Sequence, residues 1–295
     1  MIGFDQVSRS IHSLVQSPDL PKGADTSNMR KLVLAAVLTA LTLVSSSEAI
    51  AQDESDPPIQ EVFQSELVYP QEKGVFQLTS TAAFRKRKEV SSVISIEYGL
   101  TQVWQVGLEW ESFSRKTSED GLVLRGSGDL RVGTKYSFLN IGGSNFHSAV
   151  GFELGLPTGS AKKGVSSGQI EYEPYVVVAK DFPKLSRLQV FSQIGITFAR
   201  AARAVASNDN DDERSFEWKA GMFVPYRKAR FTFEINGSSG TDKSLQLTPG
   251  IIWKFPHNIE FGVATPLERS PVSGNSGMIV KIVYEFGGTG HRRND

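Results

Sequence analysis

The sequence predicts an all-β protein, a 12-stranded antiparallel transmembrane β-barrel whose strands follow one another in an up-and-down meander. The main observation is a period of two: in twelve segments between residues 74 and 286, every second side chain is uncharged, apart from Lys180 at the end of the sixth segment. The other acidic and basic side chains of these segments fall on the opposite parity. Because successive side chains leave a strand on opposite faces, the pattern predicts one face in lipid and one in water.

The alternation defines the strands in order. Their even number suits a single-chain bacterial barrel with both termini on the same side of the membrane. The predicted strands are 74–84, 89–99, 103–113, 127–138, 147–156, 169–180, 188–198, 215–226, 229–237, 245–255, 259–267 and 278–286.

The connections between these strands alternate in length. The predicted periplasmic turns are mostly short, at 100–102, 139–146, 181–187, 227–228 and 256–258. The predicted extracellular loops are longer and rich in Gly, Ser, Asn, Asp and Lys, at 114–126, 157–168, 199–214, 238–244 and 268–277. Outer-membrane barrels show this asymmetry, although the first outer connection, 85–88, is short.

Aromatic residues lie at strand ends on the uncharged face. Tyr and Trp prefer the headgroup level of a bilayer, so we interpret them as two interface belts. The predicted periplasmic belt contains Tyr98, Trp104, Tyr136, Phe138, Tyr226, Trp253, Phe255, Tyr284 and Phe286, and the opposite belt contains Phe84, Trp110, Phe216 and Trp218.

A soluble barrel or sandwich would produce the same alternation with its apolar face inward. The even strand count, the loop asymmetry and the aromatic last strand favour lipid on the outside. Glycines recur on the charged face, Gly250 and Gly262 among them, and we attribute them to the curvature of a closed sheet.

The amino-terminal region predicts export. Residues 29–51 have the basic start, apolar run and small residues of a signal peptide, with cleavage expected after Ala51. Residues 1–28 are interpreted as an upstream extension from a start codon assigned too early, or as an extended export leader. We expect a flexible periplasmic lead-in at 52–73, the barrel at 74–286 and a flexible tail at 287–295. The expected location is the outer membrane of a Gram-negative bacterium.

Composition narrows the classes of function. The chain has no Cys and a net charge of zero, so disulfides, thiolate catalysis and a basic nucleic-acid surface are not expected. His147 and Ser148 are adjacent, but neighbours on a strand point to opposite faces and cannot act as base and nucleophile. We expect no enzyme activity, no cofactor and no metal site.

The charged face supplies the candidate site. Its charges could bound a water-filled path that selects solutes, or they could pair across strands and fill the interior as a polar core. Lys162 and Lys163, in the loop 157–168, could form a constriction or lie exposed. The candidate lumen-lining residues are Glu97, Glu109, Asp129, Arg131, Lys135, Glu153, Glu171, Glu217, Lys219, Glu234, Lys254, Glu260 and Lys281.

Two stretches resemble a known family. Gly128-Asp129-Leu130-Arg131-Val132-Gly133-Thr134-Lys135-Tyr136 and Leu156-Pro157-Thr158-Gly159 are similar to the GDL-x-VG-x-KY and LPTG patterns of the MetA-pathway of phenol degradation family. The resemblance extends over about 69–286 and includes the turn at 97–101. It implies an outer-membrane barrel of the transporter class, without a defined substrate.

The expected function is therefore passive passage of small solutes, aromatic ones included, through a charged lumen. The alternatives are a non-conducting structural or binding barrel plugged by its own charges, and a soluble periplasmic barrel with an apolar interior. The expected partners are outer-membrane lipid, an unknown small solute and the barrel-assembly machinery. That machinery recognises a terminal aromatic residue, and here Phe286 is followed by the tail.

Overall fold

The structure of the chain is a computed structural model that describes residues 59–85, 89–117, 121–166, 168–185, 187–201, 213–239, 244–269 and 274–288. The predicted upstream extension, signal peptide and cleavage site, together with residues 52–58 and 289–295, lie outside the described residues. Among the residues described, no helix has the length and apolar character needed to cross a membrane.

The described part of the chain is almost entirely strand. Two short 3₁₀ turns, Ile141–Gly143 and Ala161–Lys163, lie in connections. The strands are β1 (Val75–Arg85), β2 (Glu89–Gly99), β3 (Trp104–Thr117), β4 (Val123–Gly126), β5 (Leu130–Phe138), β6 (Phe146–Leu156), β7 (Gln169–Phe182), β8 (Leu188–Ala201), β9 (Glu213–Tyr226), β10 (Ala229–Ser239), β11 (Ser244–Phe255), β12 (Ile259–Ala264), β13 (Leu267–Arg269) and β14 (Gly274–Gly287).

These 14 strands form one closed antiparallel sheet, because β14 pairs with β1 along its length. β4 and β5 both pair with β3, and β12 and β13 both pair with β11 and β14, so each of these couples occupies one position in the wall. The wall is therefore 12-stranded, as the sequence predicts. Pro266 lies in the break between β12 and β13, where it accepts a hydrogen bond from Gly277 but has no N–H to donate.

The uncharged parity faces outward. On β2, for example, Ile94 and Ile96 are 39% and 38% exposed, whereas Glu97 is buried at 9%. Aromatic residues of this face contact one another near the end where β1 begins: the Phe76 ring lies 4.4 Å from that of Tyr98 and 5.5 Å from that of Phe286. The wall thus has a continuous apolar outer surface with an aromatic rim.

We call the end of the barrel where β1 begins the turn end, and the opposite end the loop end. At the loop end several predicted loops are shorter than expected, because paired strands continue through them. The predicted loop 114–126 is largely a ladder between β3 and β4, and the predicted loop 268–277 contains β13 and the start of β14. Polar side chains do not prevent backbone pairing beyond a rim, which is why composition alone misplaced these boundaries.

The prediction of a flexible periplasmic lead-in at 52–73 is wrong for residues 59–73, which we call the plug. Ile59, Val62, Leu67 and Val68 are at most 4% exposed. Side chains from β1, β3, β5, β7, β8, β10 and β14 all bind the plug, and only a segment inside the lumen can meet so many sides of a barrel. The predicted tail is also shorter, since Gly287 ends β14 and Gly288 binds Gly74.

The outward parity can be tested with two neighbours on β2. Ile94→Arg places a charge on the outer face near the middle of the strand, and we expect it to cost about 2 to 4 kcal/mol of folding free energy in lipid vesicles. Ser95→Arg points the same side chain toward the lumen, beside Glu97 and Glu109, and should cost less. Urea titrations of folding into vesicles measure both; a larger cost for Ser95→Arg would contradict the assignment.

Candidate functional site

The plug makes a tight hairpin inside the lumen. Glu61 and Glu66 pair as an antiparallel bridge, and the N–H of Val62 donates to the carbonyl of Ser65 across the turn. The chain then returns past Leu67, whose N–H donates to the carbonyl of Gln60, and joins β1 at the turn end. The hairpin therefore enters the barrel with its tip pointing toward the loop end.

One wall carboxylate holds the tip of this hairpin. Glu234, in the middle of β10, is fully buried, and its two carboxylate oxygens accept the N–H groups of Phe63 and Gln64, each at 3.1 Å. Asn236, two residues further on the same inner face, donates to the side-chain oxygen of Gln64 at 2.6 Å. The tip is thus bound at mid-height of the wall.

Two wall lysines hold the flanks of the hairpin. Lys135 Nζ lies 2.6 Å from a Glu66 oxygen, and Lys281 Nζ lies 2.5 Å from a Glu61 oxygen, with the two lysine side chains 1% and 4% exposed. Lys281 also donates to the carbonyl of Val62 at 2.7 Å. Oxygens of Glu61, Glu66 and Glu97 all lie within 4.8 Å of one another. Ammonium groups bind Glu61 and Glu66 of this carboxylate cluster, which makes it an ion-pair network.

The exit of the plug is bound near the turn end. The Tyr69 hydroxyl donates to Asp181 at 2.5 Å, and His147 Nε2 lies 3.2 Å from the same carboxylate oxygen. His147 Nδ1 accepts the N–H of Asn140 at 2.9 Å, so the imidazole proton belongs on Nε2, facing Asp181. Burial, together with the bond to Asp181, raises the pKa of the Tyr69 phenol, which keeps it a donor.

The inner wall is apolar on the side formed by β6 to β9 and β11. Inward side chains of β6 to β9 and β11 pack against the apolar residues of the plug. These wall residues are Ala149, Tyr175, Val177, Ala179, Phe191, Phe223 and Ile252. Full burial of an aliphatic side chain contributes about 1.5 to 3 kcal/mol, so this contact supplies a large part of the retention of the plug.

Two polar cavities border the plug. The smaller lies beside the hairpin, against β2, β3 and β5, and the larger lies toward the loop end. The smaller, of about 60 Å³, is bounded by Glu61 and Glu66 of the plug and by wall residues that include Glu109 and Arg131. The larger, which we call the vestibule, measures about 270 Å³ and has Gln64 of the plug among its lining residues. A solute that entered from the loop end would therefore meet the hairpin at mid-height.

The structure divides the predicted lumen residues into groups. Glu97, Lys135, Glu234 and Lys281 surround the plug, while Glu109, Arg131 and Glu153 line the smaller cavity. Glu217 and Lys219 line the vestibule, 3.8 Å apart. Other charges pair within the wall: Arg131 lies 3.7 Å from Glu153 and 2.9 Å from Glu171, Arg230 lies 2.9 Å from Glu260, and Lys254 is opposite Glu260 in register. A role in transport stays a prediction for all of them.

Asp129 has a different position from the other predicted residues. It lies between β4 and β5 and accepts hydrogen bonds from the N–H of Gly159 and the hydroxyl of Ser166, both at 2.9 Å. It thereby joins the two stretches on which the family resemblance rests. This bond holds the loop that contains Lys163 against the loop end of the wall.

The inner face of β4 supports that loop. Val165 is 3% exposed and packs over Gly126, which pairs with the inward, fully buried Ser114. Lys163 itself is exposed, and the side chain of Lys162 lies outside the described residues. The predicted constriction by Lys162 and Lys163 stays a prediction.

The plug was not predicted, although the sequence contains two signals for it. Segment 59–69 contains six apolar or aromatic residues, which is unusual for a flexible lead-in. In addition, Val177, Phe191, Phe223 and Ile252 fall on the inward parity, where they require an apolar partner.

Three glycines of the inner face have a more specific role than the predicted one. A Cβ at Gly250 or Gly262 would meet the ring of Phe63, and one at Gly99 would meet the backbone of Gln71 and Glu72. These glycines leave space for the plug, a reason more specific than sheet curvature.

The closed wall, the apolar outer surface and the polar lumen define a β-barrel of the outer-membrane type. The fold is similar to that of the COG4313 outer membrane channel from Pseudomonas putida F1, with a TM-score of 0.54 and 14% identity over 79% of this chain and 100% of that one. It is also similar to the KdgM porin (TM-score 0.50, 13% identity, 71% of this chain and 99% of that one) and the NanC porin (0.51, 11%, 70% and 98%).

No family model and no curated protein matches the chain. At these identities the solved structures establish the fold, and the resemblance to the MetA-pathway of phenol degradation family stays a prediction.

The anchoring of the hairpin tip predicts a local effect of Glu234→Gln. The variant keeps one side-chain acceptor for two N–H groups, so we expect the amides of Phe63 and Gln64 to exchange with solvent about tenfold faster. The amides of Glu66 and Gln71, which donate to Gln193 and Gln105, should change less. Amide hydrogen exchange in detergent micelles measures this; equal acceleration at all four would mean that the plug releases as one unit.

Proposed function

We propose that the protein is an outer-membrane channel for passive passage of small solutes, and that the plug closes it and opens it by leaving the lumen. The observation that carries the proposal is that the vestibule, at the loop end, is bounded by Gln64 at the tip of the plug. The wall around the hairpin is a complete barrel without it, since each of its 12 strand positions pairs with two neighbouring positions. Displacement of the plug therefore leaves the wall intact.

The contacts of the hairpin suit reversible displacement. Its polar groups bind side chains of the wall, with no main-chain ladder between plug and wall at the tip. When the hairpin leaves, water can bind the polar groups of both the hairpin and the wall. Breaking each hydrogen bond therefore costs a net free energy of about 0.5 to 3 kcal/mol. The apolar contacts between the plug and the wall stabilise the closed state.

The outer surface supports a position in the outer membrane. The exposed apolar side chains and the aromatic rim suit the hydrocarbon and headgroup regions of a bilayer. We place the turn end in the periplasm, in line with the shorter connections there. Outer-membrane lipid and the barrel-assembly machinery are the proposed partners, with Tyr284 and Phe286 of the last strand as the aromatic signal.

The solutes follow from the lumen and from the family resemblance. The lining of the vestibule is polar and of mixed sign, with Arg85, Lys219, Glu217 and Glu268, so it suits small polar solutes better than a large ion of one sign. Small aromatic solutes, in line with the name of the MetA-pathway of phenol degradation family, belong to the same proposal, although that resemblance defines no substrate.

A permanently closed barrel is the second candidate, and the fully buried contacts of the plug favour it. Such a protein would be a structural or binding element of the membrane. The two candidates differ in whether the plug can leave while the wall stays folded.

Conductance in planar lipid bilayers separates these candidates. Glu61→Gln together with Glu66→Gln removes both ion pairs to the wall lysines, and buried lysines without counterions disfavour the closed state. We expect the ratio of open to closed time to rise at least about tenfold over that of the unaltered protein.

The matched control is Glu72→Gln, the same change on an exposed side chain of the plug, which should have little effect. A second control replaces Gln64 and Asn236 by Cys and joins them with a short bifunctional thiol reagent, which is selective because the chain has no other Cys. This crosslink should hold the channel closed. Absence of conductance in the double variant, with the barrel folded, would support the permanently closed barrel.

A further inference from the structure

We infer that the lumen contains a binding site for short acidic peptides, formed by Lys135, Lys281 and Glu234 and occupied in this structure by the hairpin of the plug. The occupant is itself an acidic peptide segment, Glu-Val-Phe-Gln-Ser-Glu at residues 61–66. The inference rests on the proposed displacement of the plug, and it adds the class of solute that replaces it.

The ion pairs of the wall fall into two kinds. Arg131 and Arg230 pair with carboxylates of the wall itself, so these bases keep their partners whatever the lumen contains. Lys135 and Lys281 instead pair with glutamates of the plug. When the hairpin leaves, these two buried ammonium groups lose those partners and favour a ligand that brings carboxylates.

The remaining contacts select a peptide rather than a simple carboxylate. Glu234 accepts two backbone N–H groups of the hairpin and Gln193 accepts a third, from Glu66. Lys281 donates to a peptide carbonyl as well as to a carboxylate. An organic acid without N–H groups would leave the Glu234 carboxylate, which is fully buried, without these donors.

The balance of charges in the site also favours an acidic peptide as the ligand. The wall contributes two ammonium groups, Lys135 and Lys281, and two carboxylates, Glu97 and Glu234, to the same region. The two carboxylates repel a ligand that carries only negative charge, and the two lysines repel a cation. A peptide that carries carboxylates at its ends and N–H donors in its backbone can satisfy both.

The space that holds the Phe63 ring, beside the site, adds a preference for the residue in the middle of the peptide. Phe63 of the plug lies against Gly250 and Gly262, where the absence of side chains makes room for its ring. We therefore expect an acidic peptide with a central aromatic or large apolar residue to bind best.

Binding can be measured independently of conductance. The probe is the hexapeptide Glu-Val-Phe-Gln-Ser-Glu with blocked termini and a fluorescent label, and the protein is the full chain with Glu61→Gln and Glu66→Gln in detergent, measured by fluorescence anisotropy. We expect this variant to bind the probe at least about tenfold more tightly than the unaltered protein, whose own plug competes. A probe with Gln at both Glu positions should bind about tenfold more weakly.

Substitutions in the wall locate the site. In the same background, Lys135→Gln should weaken binding of the acidic probe about tenfold and leave binding of the Gln-containing probe nearly unchanged. Lys228→Gln, a change at an exposed lysine in the turn between β9 and β10, should affect neither probe. Circular dichroism and resistance of the barrel to unfolding in detergent establish that each variant is folded.

The outcomes separate this inference from the proposed function. Equal binding of the acidic and Gln-containing probes, or no effect of Lys135→Gln, overturns the peptide site even if the double variant conducts. Specific binding by a folded variant that does not conduct supports the site and overturns the channel.

Discussion

The arrangement depends on a requirement of the peptide backbone: a segment enclosed in a barrel must find partners for its N–H and C=O groups. A main-chain bridge between Lys73 and Gly99 forms where the plug joins β1. Around the hairpin, the wall backbones are already paired on both sides in the closed sheet. Only inward side chains remain. Glu234, Gln193 and Gln105 accept N–H groups of the plug, and Lys281 donates to one of its carbonyls. The polar parity of the strands is thus complementary to a particular peptide as well as to water.

The wall and the plug also depend on each other through their charges. Lys135 and Lys281 are nearly inaccessible, and a buried ammonium group without a counterion is strongly unfavourable. The plug supplies Glu66 and Glu61 to them, and the wall supplies Glu234 to the plug. Removal of one side leaves unsatisfied charges on the other until water reaches them. Hydration of the lumen is therefore the physical event that would accompany opening, and the vestibule at the loop end borders the tip of the hairpin, where water can begin to enter.

The alternation of the strands was predictable because it is local. Side chains of β2 such as Ile94, Ile96 and Glu97 reveal their faces through their spacing alone, and closure of the wall follows once twelve such strands are present. The continuation of β3 into β4 was not predictable in this way, since polar residues beyond the rim pair without a lipid-facing pattern. The two family-like stretches were found by their motifs, but their contact, from Asp129 to Gly159, is a matter of tertiary structure.

The sequence by itself determined the strand order and the outer and inner parities of the strands, because these properties depend on neighbours two positions apart. It did not reveal which of those residues meet one another, or that 59–73 lies among them. Glu234 is 171 residues from Phe63, and Lys281 is 219 residues from Val62. Only closure of the barrel brings such distant positions together. The tertiary structure therefore decided that the lumen is occupied, and by a peptide whose charges complement those of the wall.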